Sequence, residues 1–195
     1  MFNGESPMVR SVNRFFHRRS SPGTQESALA AVQAKADGGD ADAQFSLGLR
    51  YGNAVGEARD FAQAVRWYRK AADQDCVLAQ YNLGVMFARG QGVPQDDASS
   101  AGWIRKAAEG GDAGGQYDLG VLCHRASVNP LRPGTMESRI EAYKWLHLAA
   151  AQGYKDSAAA WERLTITMTR TEVVEGNRRA AAFVARQPAN PQIPS

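Results

Sequence analysis

The feature that most constrains this chain is a period. The segments ADAQFSLGLRYG from Ala41, LAQYNLGVMFARG from Leu78 and GGQYDLGVLCHR from Gly114 are variants of one pattern. Gln44, Gln80 and Gln116 stand 36 residues apart, as do Leu47, Leu83 and Leu119, and Gly48, Gly84 and Gly120. A second set follows each time: AVRWYRKAA around Trp67, AGWIRKAA around Trp103 and AYKWLHLAA around Trp145. Trp67 to Trp103 is 36 residues and Trp103 to Trp145 is 42, so the third unit carries six extra residues. A fixed period of this size means units that each bury their apolar face only against a neighbour.

Each unit reads as two helices. Helix A carries Ala43, Leu47, Gly48 and Tyr51, and helix B carries Ala64, Trp67, Tyr68 and Ala71, both at helical spacing. Asp60, Asp96 and Ser138 fall at the expected start of helix B in the three units. There a side-chain oxygen accepts from an otherwise unpaired backbone N–H. Ser138 with Glu141, and Asp60 with Gln63, have capping-box spacing. Gly52 and Gly56, and Gly90, Gly92 and Pro94, supply the turns between A and B. A glycine inside a helix costs about 1 kcal/mol relative to alanine. Three in one register therefore predict close approach of a helix B, with Ala64, Ser100 and Ala142 as the expected neighbours. The three tryptophans are expected to fill the layer between successive units and to be mostly buried.

The pattern continues at both ends. Thr24 to Gly39 reads as a lone helix B, with Thr24 at its start and Ala28, Ala31 and Ala36 on the packing side. Ser157 to Met168 reads as a helix A in which Trp161 replaces the leucine and Glu162 the glycine. Thr169 and Glu172 form a capping box that opens a last helix through about Ala185. The expected organisation is a basic arm 1–23, a capping helix 24–39, three units over 40–158 (40–75, 76–111 and 112–153), closing helices 154–186 and a disordered tail 187–195. About eight helices and no sheet are expected, an all-α right-handed superhelix.

These residues resemble the Sel-one-like repeat family, relatives of the tetratricopeptide repeat. The family pattern appears as Ala79, Leu83, Gly84, Phe87, Gly90, Gly92, Val93, Asp96, Trp103, Lys106, Ala107, Ala108 and Gly111. The resemblance implies a short α-solenoid whose concave side is made by the A helices, and adaptor or scaffold work on other proteins. Some secreted members carry a disulfide in each repeat. Cys76 and Cys123 are 47 residues apart and in different registers, so this chain departs from that type.

Charge separates the arm from the rest. Arg10, Arg14, Arg18 and Arg19 against Glu5 account for the whole formal charge of +3, leaving the remaining chain neutral. That argues against a nucleic-acid surface, which wants basic residues clustered on a folded face. No stretch reaches the roughly 20 apolar residues of a membrane span. The arginine-bearing start lacks an apolar signal core. A cytoplasmic monomer is expected, with a transit-like arm as the other reading of the N-terminus.

The candidate site is the outward line of helix A. It comprises Phe45, Leu49 and Asn53; Tyr81, Asn82, Val85 and Arg89; Tyr117, Asp118, Val121 and Arg125; and Asp156, Ala159 and Arg163. Aromatics in one register suit an extended peptide, and arginines hold carboxylates in fork geometry. The other reading of Phe45, Tyr81 and Tyr117 is packing between repeats. The segment HRASVNPLRPGTME and the arm residues 8–19 are further candidates, the latter for an acidic partner or an anionic membrane. His17, His124 and His147 form no catalytic signature, Cys123–His124 is not a dyad, and no P-loop, HExxH or GxSxG is present. The function expected is that of a non-catalytic scaffold binding another protein, without cofactor or metal. The alternatives are a membrane- or acidic-partner-associated accessory protein and an unusual hydrolase.

Overall fold

The computed structural model describes residues 22–54, 59–128 and 134–187. What the sequence suggested for the arm up to residue 21, for 129–133 and for the tail from 188 lies outside the described residues. Among the described residues there are nine helices and no strand: α1 Pro22–Asp37, α2 Ala41–Asn53, α3 Phe61–Ala72, α4 Val77–Arg89, α5 Asp97–Glu109, α6 Ala113–Ser127, α7 Thr135–Ala151, α8 Ser157–Ile166 and α9 Arg170–Arg186. The A helices are α2, α4, α6 and α8. The B helices are α3, α5 and α7, with α1 as a lone B helix at the front. α2, α4 and α6 each pack on their own B helix and on the B helix before it, and α8 packs on α7, giving an all-α solenoid.

Capping follows the sequence at α3 and α5, where Asp60 accepts from the Gln63 N–H and Asp96 from those of Ala98 and Ser99. The third unit corrects the expectation. α7 starts one turn before Ser138, after Gly134 in left-handed conformation (φ 81°), and the Ser138 N–H already bonds to the Gly134 carbonyl. Ser138 is therefore inside the helix and caps nothing. Two caps went unread in the sequence: Asp40 and Asp112 accept from Ala43 and Gly115 at the starts of α2 and α6. Cys76 holds the same register at α4 without a side-chain cap bond. At the C-terminal end, Thr169 and Glu172 make both bonds of their capping box.

The glycine register packs as expected in kind but one helical turn further along. A Cβ on Gly48 would strike the Tyr68 ring, and one on Gly120 would lie 2.8 Å from Leu146 Cγ. On Gly84 it would lie 2.9 Å from Ile104 Cγ1 and 3.2 Å from the Ile104 backbone nitrogen. The nearest partners are thus Tyr68, Ile104 and Leu146, each four residues beyond the alanine or serine expected, and at Gly84 the expected Ser100 is met as well, through its carbonyl at 3.3 Å. Trp67 and Trp145 are buried, at 8% and 2% exposure. Trp103 is only half-buried. Phe183 covers the edge of Trp145, whereas the Trp103 ring is flanked by the cations of Arg69 at 5.9 Å and Lys106 at 4.4 Å.

Both ends are incomplete units. α1 begins at Pro22, not after Thr24. It packs through Leu29, Val32 and Ala36, while Ala28 and Ala31 are exposed. Ala28 holds the register of Ala64, which sits against Gly52 of its own helix A; among the described residues no helix A precedes α1. At the other end α9 packs along α7 and not along α8. Gly176 lies under the Tyr143 ring, Phe183 meets Trp145 edge-on at 5.2 Å, and the Gln187 amide donates to the Glu109 carbonyl of α5 at 2.9 Å.

Two stability expectations follow. The residues leading into the A helices, Gly39, Asp75, Gly111 and Gly153, all have positive φ, and Asp75 is the one with a side chain. Asp75→Gly should raise stability by about 0.5–1 kcal/mol, since left-handed backbone costs an L-residue on that order. Urea unfolding measures it, and an unchanged midpoint would show that the aspartate is unstrained. Gly84→Leu should lower stability by at least ~2 kcal/mol, because the obstacle at Gly84 includes α5 backbone that cannot move aside. A higher melting temperature in that variant would contradict the packing just described.

Candidate functional site

The outward line of the A helices does not behave as one uniform groove. In the first unit Phe45 and Leu49 lean on the core, with the Phe45 ring 5.9 Å from that of Tyr68. Asn82 spends its amide on the Leu78 carbonyl at 2.8 Å. Val85 is half-buried, and Tyr117 and Val121 pack partly against the cluster around Tyr143 and Leu146. Arg89, Arg125 and Arg163 are exposed. No ion pair occupies any of the three among the described residues.

The polar candidates converge in the third unit. The Tyr81 hydroxyl lies 3.5 Å from that of Tyr154, beside the Asp118 carboxylate. The Tyr117 and Tyr154 rings stand 5.7 Å apart. This cluster joins α4, α6 and the α7–α8 turn. Gly114 makes it possible, since a Cβ there would come within 2.9 Å of Tyr81 Cζ. Burial pushes the Asp118 carboxyl up; the Tyr81 hydroxyl and the charges of Lys155 and Arg89 oppose that, and Asp112 adds to it. Burial likewise pushes the Tyr81 phenol up, reinforced by the Asp118 charge. The result is a half-buried patch with three phenol rings, one carboxylate reluctant to ionise and cations beside it.

Tyr154 and Lys155 were not among the residues picked from the sequence. The available signal was a break in the repeat. Tyr154 stands where Asp40, Cys76 and Asp112 stand in the earlier units, so a capping position has become an aromatic one. The histidines form no common site. His147 is stacked on Trp161 at 4.9 Å, and its Nδ1 is without a partner, as is Trp161 Nε1; His124 is exposed. Among the described residues no group of three or more His, Cys, Asp or Glu is placed to hold a metal ion, and no helix is long and apolar enough to cross a membrane.

Asp118 gives this site a pH signature. Its folded-state pKa is raised, so the ionised carboxylate costs stability above that value. The cost disappears below the ordinary aspartate value of about 3.9, where both states are protonated. Asp118→Asn should therefore raise the melting temperature at neutral pH, with the gain shrinking as pH falls toward 4. Circular dichroism melts across that range measure it. A loss of stability at pH 7 would mean that the favourable surroundings of the carboxylate, Tyr81, Lys155 and Arg89, outweigh the burial cost.

Comparison with known proteins agrees with this architecture. The Sel1 repeat pattern matches residues 41–76, 77–112 and 113–154. Among solved structures, the c5321 protective antigen of uropathogenic Escherichia coli, with an SLR fold, is 27% identical at a TM-score of 0.68. That match covers 83% of this chain and 33% of the antigen, so this chain spans about a third of its length. A Sel1 repeat protein from Oxalobacter formigenes is 34% identical at a TM-score of 0.58, covering 70% of this chain and 98% of that protein. No curated protein matches. Proteins of this kind generally mediate protein–protein interaction and are typically non-catalytic. With three matched repeats over more than half its length, the chain belongs to the Sel1 repeat family.

Proposed function

We propose that this protein is a non-catalytic scaffold that binds a segment of another protein along the A helices α2, α4, α6 and α8. The centre of that surface is the Tyr81, Tyr117, Asp118 and Tyr154 cluster. The observation that carries the reading is this cluster itself: polar groups from the second unit, the third unit and the turn that ends it meet at a half-buried patch. A protein that needed only to stack its repeats would not leave them together there. The phenols supply contact area with little entropy to lose, which is why Tyr and Arg dominate binding hot spots. Arg89, Arg125 and Arg163 lie along the same line, exposed and unpaired among the described residues, and suit carboxylates of the bound segment. Phe45, Leu49, Asn82, Val85 and Val121 belong to the surface as its apolar and amide lining.

The expected outcome is that Arg89→Ala with Arg125→Ala weakens binding at least tenfold, about 1.4 kcal/mol, without unfolding the domain. Charge reversal at Arg66 and Arg105, exposed on the B helices, should do much less. Affinity is measured against a partner recovered by pull-down, with circular dichroism to confirm folding. If the B-helix pair matters and the A-helix pair does not, binding belongs to the opposite face.

A further inference from the structure

The last helix presents two faces, and only one is used by the fold. Gly176, Ala180 and Phe183 pack inward on α7 and its neighbours. The outward side runs through Val174, Ala181 and Ala185, at i, i+7 and i+11, with Val184 beside them. Val174 and Val184 are 61% and 60% exposed. The basic residues Arg170, Arg178 and Arg186 are exposed on the same helix. No exposed carboxylate balances them there, because Glu172 is buried in its capping box and Glu175 is held by Arg178 and Arg179.

A pocket of ≈ 170 Å³ opens alongside this face, between α9 and α7. Its lining is Ala182 and the Phe183 ring, with Lys144, Arg178, Arg179 and Arg186 around them. The four cations are not equivalent. Arg179 is engaged by Glu137, Glu141 and Glu175, so it is a strut between α7 and α9. Arg178 makes two bonds to Glu175, and Lys144 one to Glu141. Arg186 has no ion pair among the described residues. The geometry is that of an apolar cup, sized for one aliphatic side chain, with an uncompensated guanidinium at its edge.

We propose that the outer face of α9 is a second docking surface, distinct from the A-helix patch, for an acidic amphipathic segment of a partner protein. One apolar side chain of that segment enters the cup against Ala182 and Phe183. Neighbouring carboxylates lie near Arg186 and Arg178, and small residues of the segment lie over Ala181 and Ala185. Charge complementarity selects the partner's sign: α9 carries four arginines against two glutamates, both already committed within the fold.

The test uses the full chain and two synthetic helices with identical leucine spacing, one filled with glutamate and one with lysine, followed by fluorescence anisotropy. The glutamate helix should bind, more weakly as salt is raised, and the lysine helix should not. Arg186→Glu, and separately Ala182→Glu, should each weaken binding about tenfold or more with unchanged circular dichroism. The Arg89→Ala, Arg125→Ala double variant should bind the glutamate helix as the parent does, which separates this surface from the A-helix patch. Failure of the glutamate helix to bind, or binding by both α9 variants as tight as the parent's, overturns the proposal. So does recruitment to phosphatidylserine vesicles without any binding of the glutamate helix, which would make the surface lipid-directed.

Discussion

One buried side-chain amide sets how each unit meets the next. Gln44, Gln80 and Gln116 donate to the carbonyls of Ala36, Ala72 and Ala108 at 3.1, 3.3 and 3.4 Å. Each of those carbonyls lies near the end of the preceding B helix and also accepts the N–H of the residue three further on. A helix end leaves carbonyls without intrahelical donors, and burying one unpaired is costly. The glutamine therefore fills the second lone pair of a carbonyl that the turn N–H leaves half-satisfied, and it does so only in one register. In the outer two units its own oxygen is satisfied in turn, by Gln74 at 2.8 Å and Gln152 at 2.9 Å. The middle unit departs in two places at once. Gly110 replaces that second glutamine, and Val77 stands where Ala41 and Ala113 stand. A Cβ on Gly110 would collide with the Val77 side chain. The larger residue at one position is matched by the smaller at the other.

Glycine marks every A–B contact and disappears where that contact is missing. Gly48, Gly84 and Gly120 sit against side chains or backbone of a B helix too close for a methyl group. In α8 the same register is Glu162, and the register of Gly52 is Ile166, which is 84% exposed. Among the described residues no B helix covers α8, since α9 packs on α7, so nothing there requires a small residue. A B helix approaching α8 at the internal spacing would meet the bulk and charge of Glu162. Moving α9 to α7 also covers Trp145 and leaves a charged, partly apolar helix face outward. The final helix thus closes the core while presenting a surface of its own.

The proposed binding surface arises from departures within the repeat. Residues that repeat faithfully, such as Leu47, Leu83 and Leu119, are buried. The patch at Tyr81 depends on Gly114, Asp118 and Tyr154, which have Leu78, Asn82 and Asp112 as their counterparts one unit earlier. A regular array offers the same surface at every step. Specificity for one partner needs a position where the array is broken, and here the break falls between the second unit and the end of the third.

The sequence by itself determined the number of units, their helical pairing, the capping box at Thr169 and the A-helix line of candidate residues. Periodicity and local backbone chemistry are written within a few residues of where they act. It also located Gly48, Gly84 and Gly120 as contact points, because a mid-helix glycine has a local cost that only a neighbour offsets. Tertiary structure decided which turn of helix B meets those glycines and the partial exposure of Trp103. It decided the placement of α9 on α7 and the convergence of Tyr81, Asp118 and Tyr154. Each of these depends on groups far apart in the chain, and on how much room neighbouring side chains leave. A period fixes which residues are equivalent; the distances between units fix which of them touch.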